Sequence, residues 1–156
     1  MKTLNTVIKY VLIVMVIAMF ILTTVQVILR YGFNRALSWS EELVRFLFVW
    51  ATFLGAAIGI KEHIHIGVDA VVNFLPANLR RYADTVVYLI IFAFGIVLVT
   101  AGMSVVTLTH SQLSPALDLP MSYVYIAIPL GGALSMIYSI REIFLIWKKL
   151  KARGEV

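Results

Sequence analysis

Long uncharged runs alternate with short charged breaks along this chain, and the runs have the length needed to cross a membrane. Residues 10–29 are twenty positions without Asp, Glu, Lys, Arg or His. At a helical rise of 1.5 Å per residue they reach ~30 Å, the thickness of a bilayer's hydrocarbon core. A cleaved signal peptide also begins with positive charge, but its apolar core is only ~7–15 residues and ends on small residues. This run is longer and ends Gln26-Val27-Ile28-Leu29-Arg30, so it is expected to be a retained helix. Apolar runs at about 43–60, charged only at Arg45 near its start, and at 85–109 and 119–140 predict three further spans. Thr23, Thr24 and Gln26 can bond within the first helix or to a neighbour.

The breaks carry the local signals. Arg30 to Leu37 holds Gly32, Asn34 and Arg35 and is expected to be an irregular turn. Ser38-Trp39-Ser40-Glu41 fits a capping box, with Ser38 capping the second helix and Glu41 bonding back to the Ser38 amide. Glu41 precedes Arg45 by four residues, the favourable order for an ion pair, and Arg45 can also snorkel to the interface. Before the fourth span, Asp118 is expected to cap and Pro120 to sit near the first turn. Pro129 should kink that span by releasing the carbonyl of Tyr125.

Between the second and third spans the pattern changes. Ile64, Val68, Val71, Val72 and Leu75 share one helical face, and Glu62, His65, Asp69 and Asn73 share another. This predicts an amphipathic helix over about 63–75, too polar to span, lying in the interface and ending at Pro76. Ile64-His65-Ile66 also alternates, so its first turn reads equally as extended. The fold class is therefore all-α and integral to the membrane: four transmembrane helices and one interfacial helix in a single domain, 1–156.

Composition agrees. Only 13% of the 156 residues are charged, against ~25% in soluble domains, and the mean hydropathy is +0.97. The net charge of +5 flanks the apolar runs, which is a topology signal and not a nucleic-acid surface. Ten of the thirteen Lys and Arg fall on one side: Lys2 and Lys9, then Lys61, Arg80 and Arg81, then the tail Arg141, Lys148, Lys149, Lys151 and Arg153. Arg30, Arg35 and Arg45 fall on the other. Both termini and the amphipathic segment are thus expected in the cytoplasm. The absence of cysteine excludes disulfides, thiolate chemistry and iron–sulfur ligation by this chain.

Charged groups inside a membrane are costly and mark function where they occur. The middle of all four spans has none. A self-contained proton-coupled carrier would want a mid-membrane carboxylate, so that role is disfavoured. His63-x-His65 beside Glu62 and Asp69 is read as interfacial polarity, since residues two apart on a helix diverge; no metal or other cofactor is expected. Gly55 and Gly59 form a G-x-x-x-G pattern, and Gly131, Ser135 and Ser139 repeat small residues every fourth position. Such spacing lets helices approach closely, within this bundle or against another protein. Glu41, Glu42 and Arg45 are either a cap-and-snorkel set or a fixing point for a neighbouring protein.

The stretch Arg30-Tyr31-Gly32-Phe33-Asn34-Arg35, Leu37-Ser38-Trp39-Ser40-Glu41-Glu42, Arg45-Phe46, Phe53-Leu54-Gly55-Ala56-Ala57 and His65-Ile66-Gly67-Val68-Asp69 resembles the small membrane subunit of TRAP (tripartite ATP-independent periplasmic) transporters. Order and spacing match over about 30–69, and the four-span plan extends the likeness. The resemblance implies a multi-pass protein of the bacterial inner membrane. It also implies a static scaffold for a large membrane subunit that carries the substrate and sodium sites. A periplasmic binding protein would deliver an organic acid, such as a C4-dicarboxylate or sialic acid. Ending after a basic tail, the chain looks like the unfused form. By the resemblance, Arg30, Ser38, Trp39, Glu41, Glu42 and Arg45 should anchor the outer end, Gly55 and Gly59 the helix contacts, and Lys61, His65, Gly67 and Asp69 the cytoplasmic interfacial helix. Membrane lipids complete the expected partners. The rival is a small autonomous carrier acting as an oligomer, with Pro129 and Gly131-Gly132 as its broken helix.

Overall fold

The computed structural model describes residues 2–62 and 77–153. The expected interfacial helix, with His65, Gly67 and Asp69, lies outside the described residues. The remainder is helical: α1 Lys2–Gly32, α2 Ser38–Lys61, α3 Ala77–Leu108, a short α4 Ser122–Tyr125 and α5 Ala127–Arg153. Four stretches are long and apolar enough to cross a bilayer: Thr3–Gly32, Ser38–Lys61, Tyr82–Leu108 and Ser122–Lys148. Each is longer than the uncharged run that announced it, because α-helix continues through the charged flanks.

The helices run up and down and lie in the order α1, α2, α5, α3. α5 packs on both α2 and α3, whereas α1 packs on α2. Two adjacent glycines let α5 serve both neighbours. A Cβ on Gly131 would come within 2.8 Å of Phe53 Cβ on α2, and one on Gly132 within 2.8 Å of Leu98 Cβ and 3.0 Å of the Gly95 carbonyl on α3. Lipid supplies no hydrophobic drive between helices, so this close approach is what dispersion between them requires. The core is small: Leu54, Ala57, Ile58, Ile60, Tyr88, Tyr138 and Ile8. Most large apolar side chains of α1, among them Val14, Ile17 and Phe20, face outward.

The helix is interrupted close to Pro129. Regular helix is interrupted at Ile126, between α4 and α5, and resumes with the Leu130 amide bonding to the Ile126 carbonyl at 3.2 Å. Pro129 has no amide hydrogen to give the Tyr125 carbonyl. Its ring packs where Gly102 of α3 leaves room. Two capping expectations are corrected. Leu37, not Ser38, is the residue before α2, no side chain caps that end, and Ser38 is already the first helical residue. The helix starts one residue early because the Leu37 carbonyl already accepts from Ser40 and Glu41. The fourth span begins at Ser122, and Asp118 is no cap: it sits in a turn at φ +52°, with Pro120 before the helix.

Candidate functional site

The end of the bundle where α2 begins is organised by Glu42. One turn into α2, this residue points inward and is only 3% exposed. Its Oε2 accepts hydrogen bonds from the backbone amides of Ala116 and Leu117, both at 2.9 Å. Those amides belong to the turn between α3 and α4, which is itself closely bonded. The Ser114 amide donates to the Leu119 carbonyl at 2.9 Å, Met121 to Gln112 at 2.9 Å, and the Leu119 amide to Ser114 Oγ at 3.2 Å. Ser114 is 1% exposed. A carboxylate satisfied by converging amides is a stable way to hold charge away from water. Nearby, Trp50 Nε1 donates to the Tyr123 carbonyl at 3.1 Å, and His110 Nδ1 lies 3.2 Å from Ser122 Oγ. Together these tie α2 to the turn and to the start of the fourth span.

Arg45 does not pair with Glu41. Glu41 turns instead to Arg30 at 3.4 Å, across the α1–α2 turn, where both are exposed. Helix α1 ends against that turn, with Asn34 at φ +51°, so Arg30 is within reach. Arg45 is exposed at the rim of a cleft of about 320 Å³ that it lines with Glu42, Pro115, Met121 and Tyr125. Trp39 is exposed and Ser38 faces solvent or lipid, whereas Ser40 is buried, its hydroxyl donating to the Leu37 carbonyl at 2.8 Å. A second cleft of about 350 Å³, walled by Met15, Leu43, Leu47, Trp50 and Tyr123, is almost wholly apolar.

Gly55 and Gly59 differ from the glycines of α3 and α5: a Cβ on either would meet nothing within 4 Å. Among the described residues, their G-x-x-x-G face is therefore not a contact inside this chain. Hydroxyls within the spans mostly turn back on their own helices. Thr24 bonds to the Phe20 carbonyl, Thr52 to Phe48, Thr100 to Ile96, Ser135 to Gly131 and Ser139 to Ser135.

The opposite end is polar as well. Glu62 Oε1 lies 3.0 Å from Lys9 and 3.4 Å from Lys61, and these hydrogen-bonded lysines, Lys9 first, hold its carboxyl below the usual carboxylate range. The Tyr138 hydroxyl donates to Asn5 Oδ1, joining α5 to α1 in the buried interior, and Arg141 pairs with Glu142 at 2.9 Å. Among the described residues, no group of three His, Asp or Glu side chains is placed to hold a metal ion.

Of the expected site residues, the structure joins Arg30 with Glu41 and Lys61 with Glu62, and leaves Trp39, Arg45, Gly55 and Gly59 on the surface. The Asn5–Tyr138 contact and the turn held by Glu42 were not foreseen. The only sequence signal for them is isolated polarity near helix ends.

Residues 19–149 match the family described as tripartite ATP-independent periplasmic transporters, DctQ component. A C4-dicarboxylate TRAP transporter small permease protein of Vibrio cholerae is 43% identical over 52% of this chain; the match spans 35% of that relative's length. A Haemophilus influenzae protein assigned as a TRAP transporter small permease is 31% identical over 88% of this chain and 85% of its own. The sialic acid TRAP transporter permease protein of Haemophilus influenzae is 26% identical over 77% of this chain, but the matching part is 20% of that protein.

Proposed function

The chain belongs to the DctQ-component family of tripartite ATP-independent periplasmic transporters, and from that premise we propose that it is the non-catalytic scaffold subunit of a sodium-coupled organic-acid importer. It is a multi-pass membrane protein of four membrane-spanning helices. Its working partners are a large membrane subunit and a periplasmic substrate-binding protein, in the bacterial inner membrane, with both termini cytoplasmic. The transported acid is a C4-dicarboxylate, a sialic acid or a similar carboxylate, as the names of the relatives suggest.

One observation carries the scaffold role. The middle of the bundle holds no ionised side chain, and the hydroxyls there bond to their own helices. Gripping a carboxylate or a sodium ion in lipid needs free polar groups at that depth. The polar ties between elements instead lie towards the two ends, where they fix helix positions. Glu42 serves from within, by holding the α3–α4 turn; Arg30, Ser38, Trp39, Glu41 and Arg45 form the outer rim around it. Lys61, with His65, Gly67 and Asp69, is assigned to the inner rim.

Reconstitution in proteoliposomes tests the proposal. The chain alone should not accumulate a radiolabelled C4-dicarboxylate or sialic acid under an inward sodium gradient. Uptake should appear when the large subunit and binding protein are added. Uptake by the chain alone would favour the autonomous oligomeric carrier.

A further inference from the structure

Among the described residues, one face of α2 has no partner within the chain. Arg45, Phe48, Thr52, Gly55, Ala56 and Gly59 fall within one sector of the helix and are exposed or half-exposed. The opposite face, with Leu54, Ala57, Ile58 and Ile60, is the buried one. We infer that this open face seats a transmembrane helix of the large permease subunit, which presents an acidic side chain to Arg45. The inference rests on the scaffold role and specifies the surface that performs it.

Charge is the first ground. Arg45 stands sixteen residues before Lys61, ~24 Å along the axis. With Lys61 at the inner boundary, Arg45 starts inside the outer edge of a ~30 Å hydrocarbon layer. No acid of the described chain lies within 4.0 Å of it, since Glu41 is taken by Arg30 and Glu42 by the turn amides. A cation at that depth calls for an acceptor from outside. Shape is the second ground. The outward faces of α1 and α3 carry the large side chains suited to acyl chains, such as Phe20, Ile17, Ile90 and Phe94. Below Phe48, the α2 face carries only Thr, Gly and Ala, which bury little against lipid and suit a close helix crossing. The third ground is covalent. In the Haemophilus influenzae sialic acid permease the part resembling this chain is 20% of a longer polypeptide, so the resembling part is joined there to a much larger remainder of the same permease.

The test uses the complete transporter, co-expressed with its large subunit. Gly55→Leu/Gly59→Leu fills the face, and neither added Cβ has a neighbour within 4 Å among the described residues. The variant should keep the purified subunit's helicity and melting temperature but lower recovery of the large subunit about tenfold or more. Arg45→Gln should lower recovery as well, with Arg45→Lys restoring part of it. The chain has no cysteine, so a benzophenone on Ala56→Cys is unique to that position and should cross-link to the large subunit, whereas one on Phe20→Cys should not. Wild-type recovery by the double-leucine variant would overturn the inference, as would cross-links from Ala56→Cys only to lipid or to a second copy of this chain. Failure of the wild-type chain itself to recover the large subunit would instead remove the scaffold role.

Discussion

Glu42 carries a charge that is almost wholly removed from solvent, yet backbone, not a cation, answers it. Truncating it would leave two amides of a closed turn without acceptors. Hydrogen bonds to a charged group contribute about 1.5–3 kcal/mol, and an orphaned buried donor costs a similar amount. Glu42→Ala should therefore destabilise the purified subunit by about 3 kcal/mol, and Glu42→Gln, which keeps a neutral acceptor, by less. Chemical unfolding in detergent measures the total. Hydrogen exchange at Ala116 and Leu117 assigns it, since those amides should lose protection first. The Glu41-Glu42 doublet was visible along the chain, but not that the two residues part company. One turns outward to Arg30 and the other inward to a turn more than seventy residues away. Neighbouring helix positions differ by about 100°, so charge alone does not reveal which is inside.

The same limit governs the helices. Their number and rough extent were legible because an uncharged run of bilayer length has few alternatives to a helix. The kink was legible because proline removes a specific donor. Which face of each span looks inward was not, because both faces are apolar when the solvent is lipid and the 3.6-residue pattern fades. The glycines show this most plainly. Gly131 and Gly132 sit at helix crossings, whereas Gly55 and Gly59, of more familiar spacing, do not. Alanine scanning should separate the two groups. Gly132→Ala places a methyl 2.8 Å from Leu98 Cβ and 3.0 Å from a backbone carbonyl, and overpacking of this kind costs about 1–3 kcal/mol. Gly55→Ala meets no atom, and its better helix propensity should leave the isolated subunit unchanged or up to about 1 kcal/mol more stable. Thermal melting of the two purified variants reads the contrast.

Across the whole bundle, α1 is the helix held by least. Among the described helices its backbone packs closely on α2 alone, and in lipid that apolar contact lacks the hydrophobic effect. Polar ties therefore matter at its N-terminal end: Asn5 to Tyr138, and Lys9 to Glu62 beside Lys61. The Glu62 carboxyl is exposed enough to titrate, and the two lysines hold its folded-state value below that of a free glutamate. A depressed carboxylate value means that the unfolded or detached state takes up the proton first. The tie is then fully present above the free value of about 4.3, and it is lost as pH falls through the lower folded value. Salt should weaken it too, because it lies at the surface. Spin labels near the start of α1 and the end of α2 would follow the separation of those ends. The distance should be narrow at neutral pH and low salt, and should broaden as acidification protonates Glu62, further to the acid side than for a free glutamate. Glu62→Gln should broaden it already at neutral pH and remove the acid-side change. An unchanged acid-side transition in that variant would place the sensitivity in another carboxylate and leave Asn5–Tyr138 as the principal hold on α1.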